Sequence, residues 1–299
     1  MSNQDSGKTV FLAMSVNLFI GVIKTSVAII TKSSAMFSES VHSFVDSFNQ
    51  FLLWFGIKES KKGVSKIYPL GRGREQYFWT LVVAILIFTI GGLLSLQHGI
   101  EAISHPKKLE NLNISIIILL ISIILESYVL VKAVTKLKIS DNSKSVFELI
   151  QISNDGPLIA IIVEDFAATL GLFFALIGTL LSYFTNDPIF DAYASIAIGI
   201  LLMVSGLFLG YEMKHLIVGE SVDTKTFNSV RKVIKDNTFI TKILDLKIIS
   251  IGSNSFMCIA EVDYKNTLID VEIVRISKEI EQDIKKLDER FVNIFLIPA

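Results

Sequence analysis

Long apolar runs separated by short charged loops dominate the first two-thirds of this 299-residue chain. Each of these runs reaches the ~20 residues that an α-helix needs to cross the hydrocarbon core of a bilayer. The six runs are Val10–Thr31, Ser34–Ile57, Gln76–Gly99, Leu112–Thr135, Pro157–Ser182 and Pro188–Glu212. A hydrophobic fraction of 51% and a mean hydropathy of +0.57 agree with this pattern. The sequence therefore predicts a polytopic α-helical membrane protein with six transmembrane helices.

Basic residues are concentrated in the loops on one side of these runs. The loops after the second and fourth runs contain Lys58, Lys61, Lys62, Lys66, Arg72, Arg74, Lys136, Lys138 and Lys144. The loops on the opposite side offer only Lys32, Lys107 and Lys108. Basic loops stay preferentially in the cytoplasm. We therefore expect both termini to be cytoplasmic.

After Lys214 the pattern changes to that of a soluble α/β unit, with amphipathic helices and alternating strands. The predicted elements are a helix over Thr224–Asn237, strands over Ile243–Ser250 and Phe256–Tyr264, a helix from an Asp270 N-cap to Arg290, and a strand over Val292–Ile297. The order αββαβ is typical of a small α+β ferredoxin-like domain. The sequence thus predicts a membrane domain over residues 1–213 and a cytoplasmic domain over residues 214–299.

The second apolar run carries an unusual stripe of polar side chains. Glu39, His42, Asp46 and Asn49 are spaced by three, four and three residues, so they share one face of a helix. Imidazole nitrogen and carboxylate oxygen are ligands for divalent metals. Such groups are costly at membrane depth, so a function is a better explanation for them than packing. His42 and Asp46 are therefore candidate metal ligands, with Glu39 and Asn49 beside them.

The fifth run carries two adjacent acids, Glu164 and Asp165. Neighbouring residues differ by ~100° around a helix, so the two side chains point in different directions. One is expected to bind the ion while the other accepts a proton or pairs with a basic group. Asp165 is the preferred ligand, because Thr169 and the small Gly171 follow it on the sequence.

Other polar residues within the runs have a structural interpretation. Lys24 is expected to pair with an acid such as Glu126 or Asp191, although Glu126 is also a minor candidate for a proton relay. The net charge of −1 argues against a nucleic-acid partner, and the single Cys258 excludes both an intramolecular disulfide and a cysteine-rich zinc site. No HExxH signature is present, and we expect the protein not to be an enzyme.

Several segments together resemble one family. They are SSAMFSESVHSFVDSFNQ, YPLGRGREQYFWTLV, IVEDFAATLG, DPIFDAYASIAIGILL and HLIVGESVD. In this order they resemble the cation diffusion facilitator family, and the Glu-Asp pair looks most like its zinc transporter 9 branch. The resemblance implies a homodimer of six-helix subunits that moves Zn²⁺ or a related ion in exchange for protons, without any cofactor. In the family the transport site joins two residues of the second helix, which His42 and Asp46 match, to two of the fifth.

The fifth run departs from the family pattern. Many members have His-x-x-x-Asp there, but alignment on Asp165 places Ile161 at the histidine position, and alignment on Glu164 places Ala168 at the aspartate position. A site with at most one imidazole shifts the expected ion from Zn²⁺ somewhat toward Mn²⁺. No histidine follows His215, so we expect packing instead of a zinc cluster to hold the C-terminal dimer. A metal-binding scaffold or sensor without flux, and a membrane-embedded metal enzyme, stay open as alternatives.

Overall fold

The computed structural model describes residues 3–139, 143–253 and 255–299. The chain forms two compact units. The first consists of the chain up to residue 59 together with residues 75–151 and 156–214, and the second consists of residues 60–74, 152–155 and 215–299. The predicted boundary at residues 213 and 214 lies beside this division, but the second unit also includes two loops from earlier in the chain.

Long helices build the first unit. They are α1 (Asn3–Thr31), α2 (Ser34–Ser60), α3 (Glu75–Ser104), α4 (Leu112–Lys138), the short α5 (Val146–Ile152), α6 (Gly156–Thr185) and α7 (Ile189–Val218). Within the described residues, five helices are long and apolar enough to cross a membrane: the Met14–Thr31 part of α1, and α3, α4, α6 and α7. The protein is thus a multi-pass membrane protein. The six predicted runs lie in helices, apart from Pro188 at the start of the last run, and α2 is long enough to span but more polar than the rest.

The N-terminus of α2 is held by a side chain from α7. Asp191 accepts hydrogen bonds from the Ser33 hydroxyl at 2.6 Å and from the backbone N–H groups of Ser34 at 2.5 Å and Ala35 at 3.2 Å. The first N–H groups of a helix have no partner within the helix, and a buried carboxylate is well suited to accept from them. Asp191 is therefore a structural residue that fixes where α2 begins.

The helix α3 contains a π-helical segment over Ile87–Leu93, and it packs closely on α7. A Cβ added at Gly199 would lie 2.6 Å from the Leu96 backbone nitrogen, so only glycine permits this approach. Small residues at such crossings let two helix backbones come together in a membrane. The close contact between α3 and α7 therefore depends on glycine at position 199.

The second unit contains α8 (Thr224–Lys235), β1 (Ile240–Gly252), β2 (Ser255–Tyr264), α9 (Asp270–Leu287) and β3 (Phe291–Pro298). The strands lie in the order β1-β2-β3, with β1 antiparallel to β2 and β3 parallel to β2. This is the predicted αββαβ order. The N-cap of α9 is Ile269, one residue before the predicted Asp270, because the Glu272 carboxylate accepts the Ile269 N–H at 3.1 Å.

Helices α8 and α9 bury their apolar faces against one side of the sheet. The core of this unit is formed by Val222, Val230, Ile234, Ile248, Phe256, Cys258, Ala260, Val262, Tyr264, Ile276, Ile280, Ile284 and Phe291. The loop that precedes α3 also belongs to the unit, since the Arg74 guanidinium donates to the Ser250 carbonyl at 2.9 Å. Burial of this many apolar side chains gives the unit a hydrophobic core of its own.

Candidate metal centre

The predicted polar stripe of α2 is entirely buried. Glu39, His42, Asp46 and Asn49 have between 0% and 7% of their surface exposed. The His42 Nε2 atom lies 3.4 Å from Asp46 Oδ2, as expected for side chains one helical turn apart. One wall of the candidate centre is therefore a single face of α2, as the spacing predicted.

The opposite wall is Glu164 on α6. The Asn49 Nδ2 group donates a hydrogen bond of 2.6 Å to Glu164 Oε1. The carboxyl groups of Asp46 and Glu164 also lie close enough to share a hydrogen bond. Two carboxyl groups this close repel each other when both are ionised. Helices α2 and α6 thus meet through acids and an amide in the interior of the membrane unit.

Asp165 is placed differently from Glu164. Its side chain is half-buried, its Oδ2 atom has no hydrogen-bond partner within the protein, and its charged neighbours are Glu164 and Glu126. The ~100° step between adjacent helical residues accounts for this difference. The structure therefore brings Glu164, and not Asp165, to the polar residues of α2, whereas the sequence pattern favoured Asp165 as the ligand.

A buried ion pair lies beside the centre. Lys24 Nζ on α1 is 3.2 Å from Glu39 Oε2, and both side chains are 1% exposed. Lys24 pairs with Glu39 and not with the expected Glu126 or Asp191, although it also acts electrostatically on Glu126. The sequence suggested an acid partner for Lys24, but it contains no signal that selects among acids on different helices.

The donor chemistry of the centre suits a divalent ion such as Zn²⁺ or Mn²⁺. Among the buried atoms that have no hydrogen-bond partner within the described residues, four belong to His42, Asp46 and Asn49 and could bind a metal: His42 Nδ1, His42 Nε2, Asp46 Oδ1 and Asn49 Oδ1. Within the described residues, however, no three His, Cys, Asp or Glu side chains lie close enough together to coordinate one ion. The acids are arranged around shared hydrogen bonds, so binding of an ion requires these side chains to rearrange.

Comparison with known proteins agrees with this chemistry. Residues 10–217 match the cation efflux transmembrane domain family. The chain is 29% identical over 265 residues to the mitochondrial proton-coupled zinc antiporter SLC30A9 of Xenopus laevis, which covers 88% of this chain and 47% of that protein. It is 26% identical over 271 residues to metal tolerance protein C4 of Arabidopsis thaliana, which covers 90% and 59%.

The chain spans about half the length of the curated relatives that it matches. The family match itself includes all the helices that form the centre, from α1 to α7. The chain is similar to the zinc transporter 9-like branch through the SLC30A9 relative. Because the family match extends over more than half of the chain, the protein belongs to the cation efflux, or cation diffusion facilitator, family.

Proposed function

We propose that this protein transports a divalent metal cation across a membrane, with Zn²⁺ as the first expectation and Mn²⁺ as the alternative. The ion binds between α2 and α6 and is exposed to either side in turn by movement of the helix bundle. The observation that carries this proposal is the meeting of His42 and Asp46 with Glu164 inside the membrane unit. An insertion cost of roughly 3 kcal/mol for each central charged group makes a purely structural origin for such a cluster unfavourable.

The proposed ligands are His42, Asp46 and Glu164. All three are buried, and their free donor atoms are the imidazole nitrogens and a carboxylate oxygen that a divalent ion prefers. Asp165 is the fourth candidate, and its neighbours Glu164 and Glu126 suit it to accept a proton. Coordination by one imidazole and several oxygens is compatible with both Zn²⁺ and Mn²⁺.

Protons are the proposed counter-ions. Any proton on Asp46 or Glu164 must leave before both carboxylates coordinate a metal, and His42 must be neutral to act as a ligand. Metal binding and proton binding therefore exclude each other at the same atoms. This competition couples metal movement in one direction to proton movement in the other. We propose that the metal leaves the cytoplasm, as the efflux family name suggests.

The proposal includes an arrangement in the membrane. Helix α2 crosses as a sixth span, because its polar side chains face the protein interior instead of lipid. The basic loops place both termini in the cytoplasm. The C-terminal α+β unit is ferredoxin-like and joins two copies of the chain into a homodimer by packing. The relatives named as zinc antiporters and as a metal tolerance protein support the substrate class.

The direct test is flux through purified protein in liposomes. The liposomes enclose one indicator for the metal and one for pH. Zn²⁺ or Mn²⁺ is added outside, and metal uptake and internal pH are recorded together. We expect metal uptake with opposite proton movement, and its loss in the double variant His42→Ala/Asp46→Ala. Native flux in that variant would show that the site is wrong. Metal binding by the native chain without any flux would instead favour a scaffold or sensor.

A further inference from the structure

The membrane unit contains a cavity of about 250 Å³ at the end where α1 stops and α2 begins. Ala28 and Lys32 of α1 and Phe37 of α2 line it, together with His98 and Glu101 near the end of α3. These residues are polar and apolar in turn, and Lys32 is half exposed. The cavity therefore lies on the side of the α1–α2 connection, and the partly exposed Lys32 is at its edge.

Along α2, Glu39 of the Lys24–Glu39 pair lies between Phe37 of the cavity lining and His42 of the candidate metal centre. Lys24 is one helical turn deeper on α1 than Ala28, and Glu39 is two residues deeper on α2 than Phe37. His42 is the next polar residue of the stripe, about 4.5 Å further along the α2 axis at a rise of ~1.5 Å per residue. The ion pair is therefore adjacent to the cavity lining on both helices and to the centre on α2.

We propose that Lys24 and Glu39 form a gate for cations between the metal centre and this cavity. The proposal rests on the transport function above and adds a regulatory element to it. The Lys24 ammonium lies 3.2 Å from the Glu39 carboxylate, and it acts electrostatically on His42, Asp46 and Glu126. A divalent ion that passes this point is repelled by the Lys24 ammonium, and this repulsion is strong in a medium of low dielectric constant.

Glu39 has the chemistry to exchange one cation for another. Its Oε2 atom binds Lys24, whereas its buried Oε1 atom has no hydrogen-bond partner within the protein. A Cβ added at Gly171 of α6 would lie 3.0 Å from this Oε1, so the free oxygen faces the α2–α6 contact. When the ammonium moves away, the carboxylate offers two oxygens to a passing metal ion. Return of Lys24 then displaces the ion and closes the route.

The test measures access to the centre without any metal. His42→Cys supplies a thiol at the centre, and the native Cys258 is fully buried in the core of the second unit. Full-length protein in liposomes is treated from each side with two membrane-impermeant thiosulfonates, one carrying a trimethylammonium group and one a sulfonate. Ala102→Cys, in the cavity lining, identifies the side on which the cavity opens.

We expect Lys24→Gln to raise the ratio of cationic to anionic labelling at residue 42 about tenfold, because one unit charge is removed from the route. Lys24→Arg keeps the charge and is expected to leave the ratio unchanged. Glu39→Gln is expected to lower the ratio of cationic to anionic labelling. If one of the two variants does not fold, the other still tests the gate. The ratio at residue 102 should be the same in all variants.

An unchanged ratio at residue 42 in Lys24→Gln or in Glu39→Gln overturns the gate. So does an equal rise in both labelling rates, since that reports loosened packing and not the loss of a charge. Zn²⁺ and Mn²⁺ flux through the native chain is measured in parallel. Absence of flux contradicts the transport function, whereas the labelling ratios still report on the Lys24–Glu39 gate.

Discussion

Asn49 on α2 donates a hydrogen bond of 2.6 Å to Glu164 on α6, and this contact joins the two helices that carry the candidate metal centre. An amide that donates to a carboxylate orients it without adding a charge. The same Glu164 also interacts with Asp46. Glu164 is therefore held on the side of α6 that faces the α2 stripe, and Asp165 is not.

This arrangement predicts that the two adjacent acids are not equivalent. We expect Glu164→Gln to weaken Zn²⁺ binding about tenfold or more, because it removes a charged ligand from the centre. Asp165→Asn removes the same charge one residue away and serves as the matched control, with a smaller expected effect on affinity. Calorimetric titration of the detergent-purified variants with Zn²⁺ measures the dissociation constant of each. A larger loss of affinity in Asp165→Asn would assign the ligand to that residue instead.

The sequence predicted the α2 half of this centre better than the α6 half. Spacings of three and four residues place His42, Asp46 and Asn49 on one face whatever the surrounding fold is. In contrast, two adjacent acids on α6 differ only in rotation about the helix axis. That rotation is set by packing between helices, which a single sequence does not specify. The partner of Lys24 was uncertain for the same reason.

The cap on α2 leads to a second prediction. Asp191→Ala removes the acceptor for the N–H groups of Ser34 and Ala35, which are then buried without their partner. We expect a loss of about 1–3 kcal/mol in stability, the usual cost of an unsatisfied buried donor. Thermal unfolding in detergent measures the change.

Asp191→Asn is the control for this prediction, because its amide oxygen still accepts a hydrogen bond. Its transition should lie closer to that of the native protein than the transition of Asp191→Ala does. Equal transitions for Asp191→Ala and the native protein would show that water replaces the carboxylate at this position without cost.

Close packing between α6 and α7 gives a third prediction. A Cβ added at Gly178 would overlap the Ala194 side chain and lie 2.8 Å from the Phe190 carbonyl oxygen. Gly178→Ala should therefore push the helices apart and cost about 1–3 kcal/mol, as overpacking does. Gly210→Ala on α7 is the control, since its Cβ would make only ordinary contacts at 3.8 Å. Unfolding temperatures that fall equally in the two variants would contradict this account.

The elements of the C-terminal unit agree closely with those that the sequence predicts, apart from the ends of the helices. Alternating apolar residues predicted each strand, and the structure lengthens β1 by several residues to Ile240–Gly252. The predicted Asp270 N-cap was wrong by one residue. Aspartate is a strong cap by propensity, but the carboxylate of Glu272 reaches back to the Ile269 N–H and sets the first turn. Such competition between neighbouring acids depends on side-chain geometry that the sequence leaves open.

Cys258 provides a natural reporter of opening in this C-terminal unit. The thiol lies in the core of β2 without exposed surface, and burial raises its pKa to about 12. A thiol of this kind reacts only when the unit opens locally. We expect it to be inert in the native full chain and reactive in denaturant, as measured with dithiodipyridine, which reads thiols over a wide pH range. Fast labelling of the native chain would contradict the buried position.

The last prediction uses this reporter to test the turn between α9 and β3. Arg290 donates to Asp288 from its backbone at 3.0 Å and from Nη2 at 2.7 Å. Burial acts to raise the pKa of the Asp288 carboxyl, but these bonds and the guanidinium charge hold it below its ordinary value. The pair therefore stabilises the folded unit above about pH 4, the ordinary pKa of aspartate, and this contribution is lost as the pH falls through the folded pKa.

Asp288→Asn should thus increase Cys258 labelling at neutral pH, and the difference from the native chain should disappear toward pH 3. Both side chains are partly exposed, at 44% for Arg290 and 17% for Asp288, so the effect is about 1 kcal/mol or less, or about fivefold or less in labelling rate. Glu289→Gln removes a charge from the adjacent exposed residue and should change nothing. A difference between Asp288→Asn and the native chain that persists unchanged at pH 3 would show that packing, not the ionised pair, stabilises this turn.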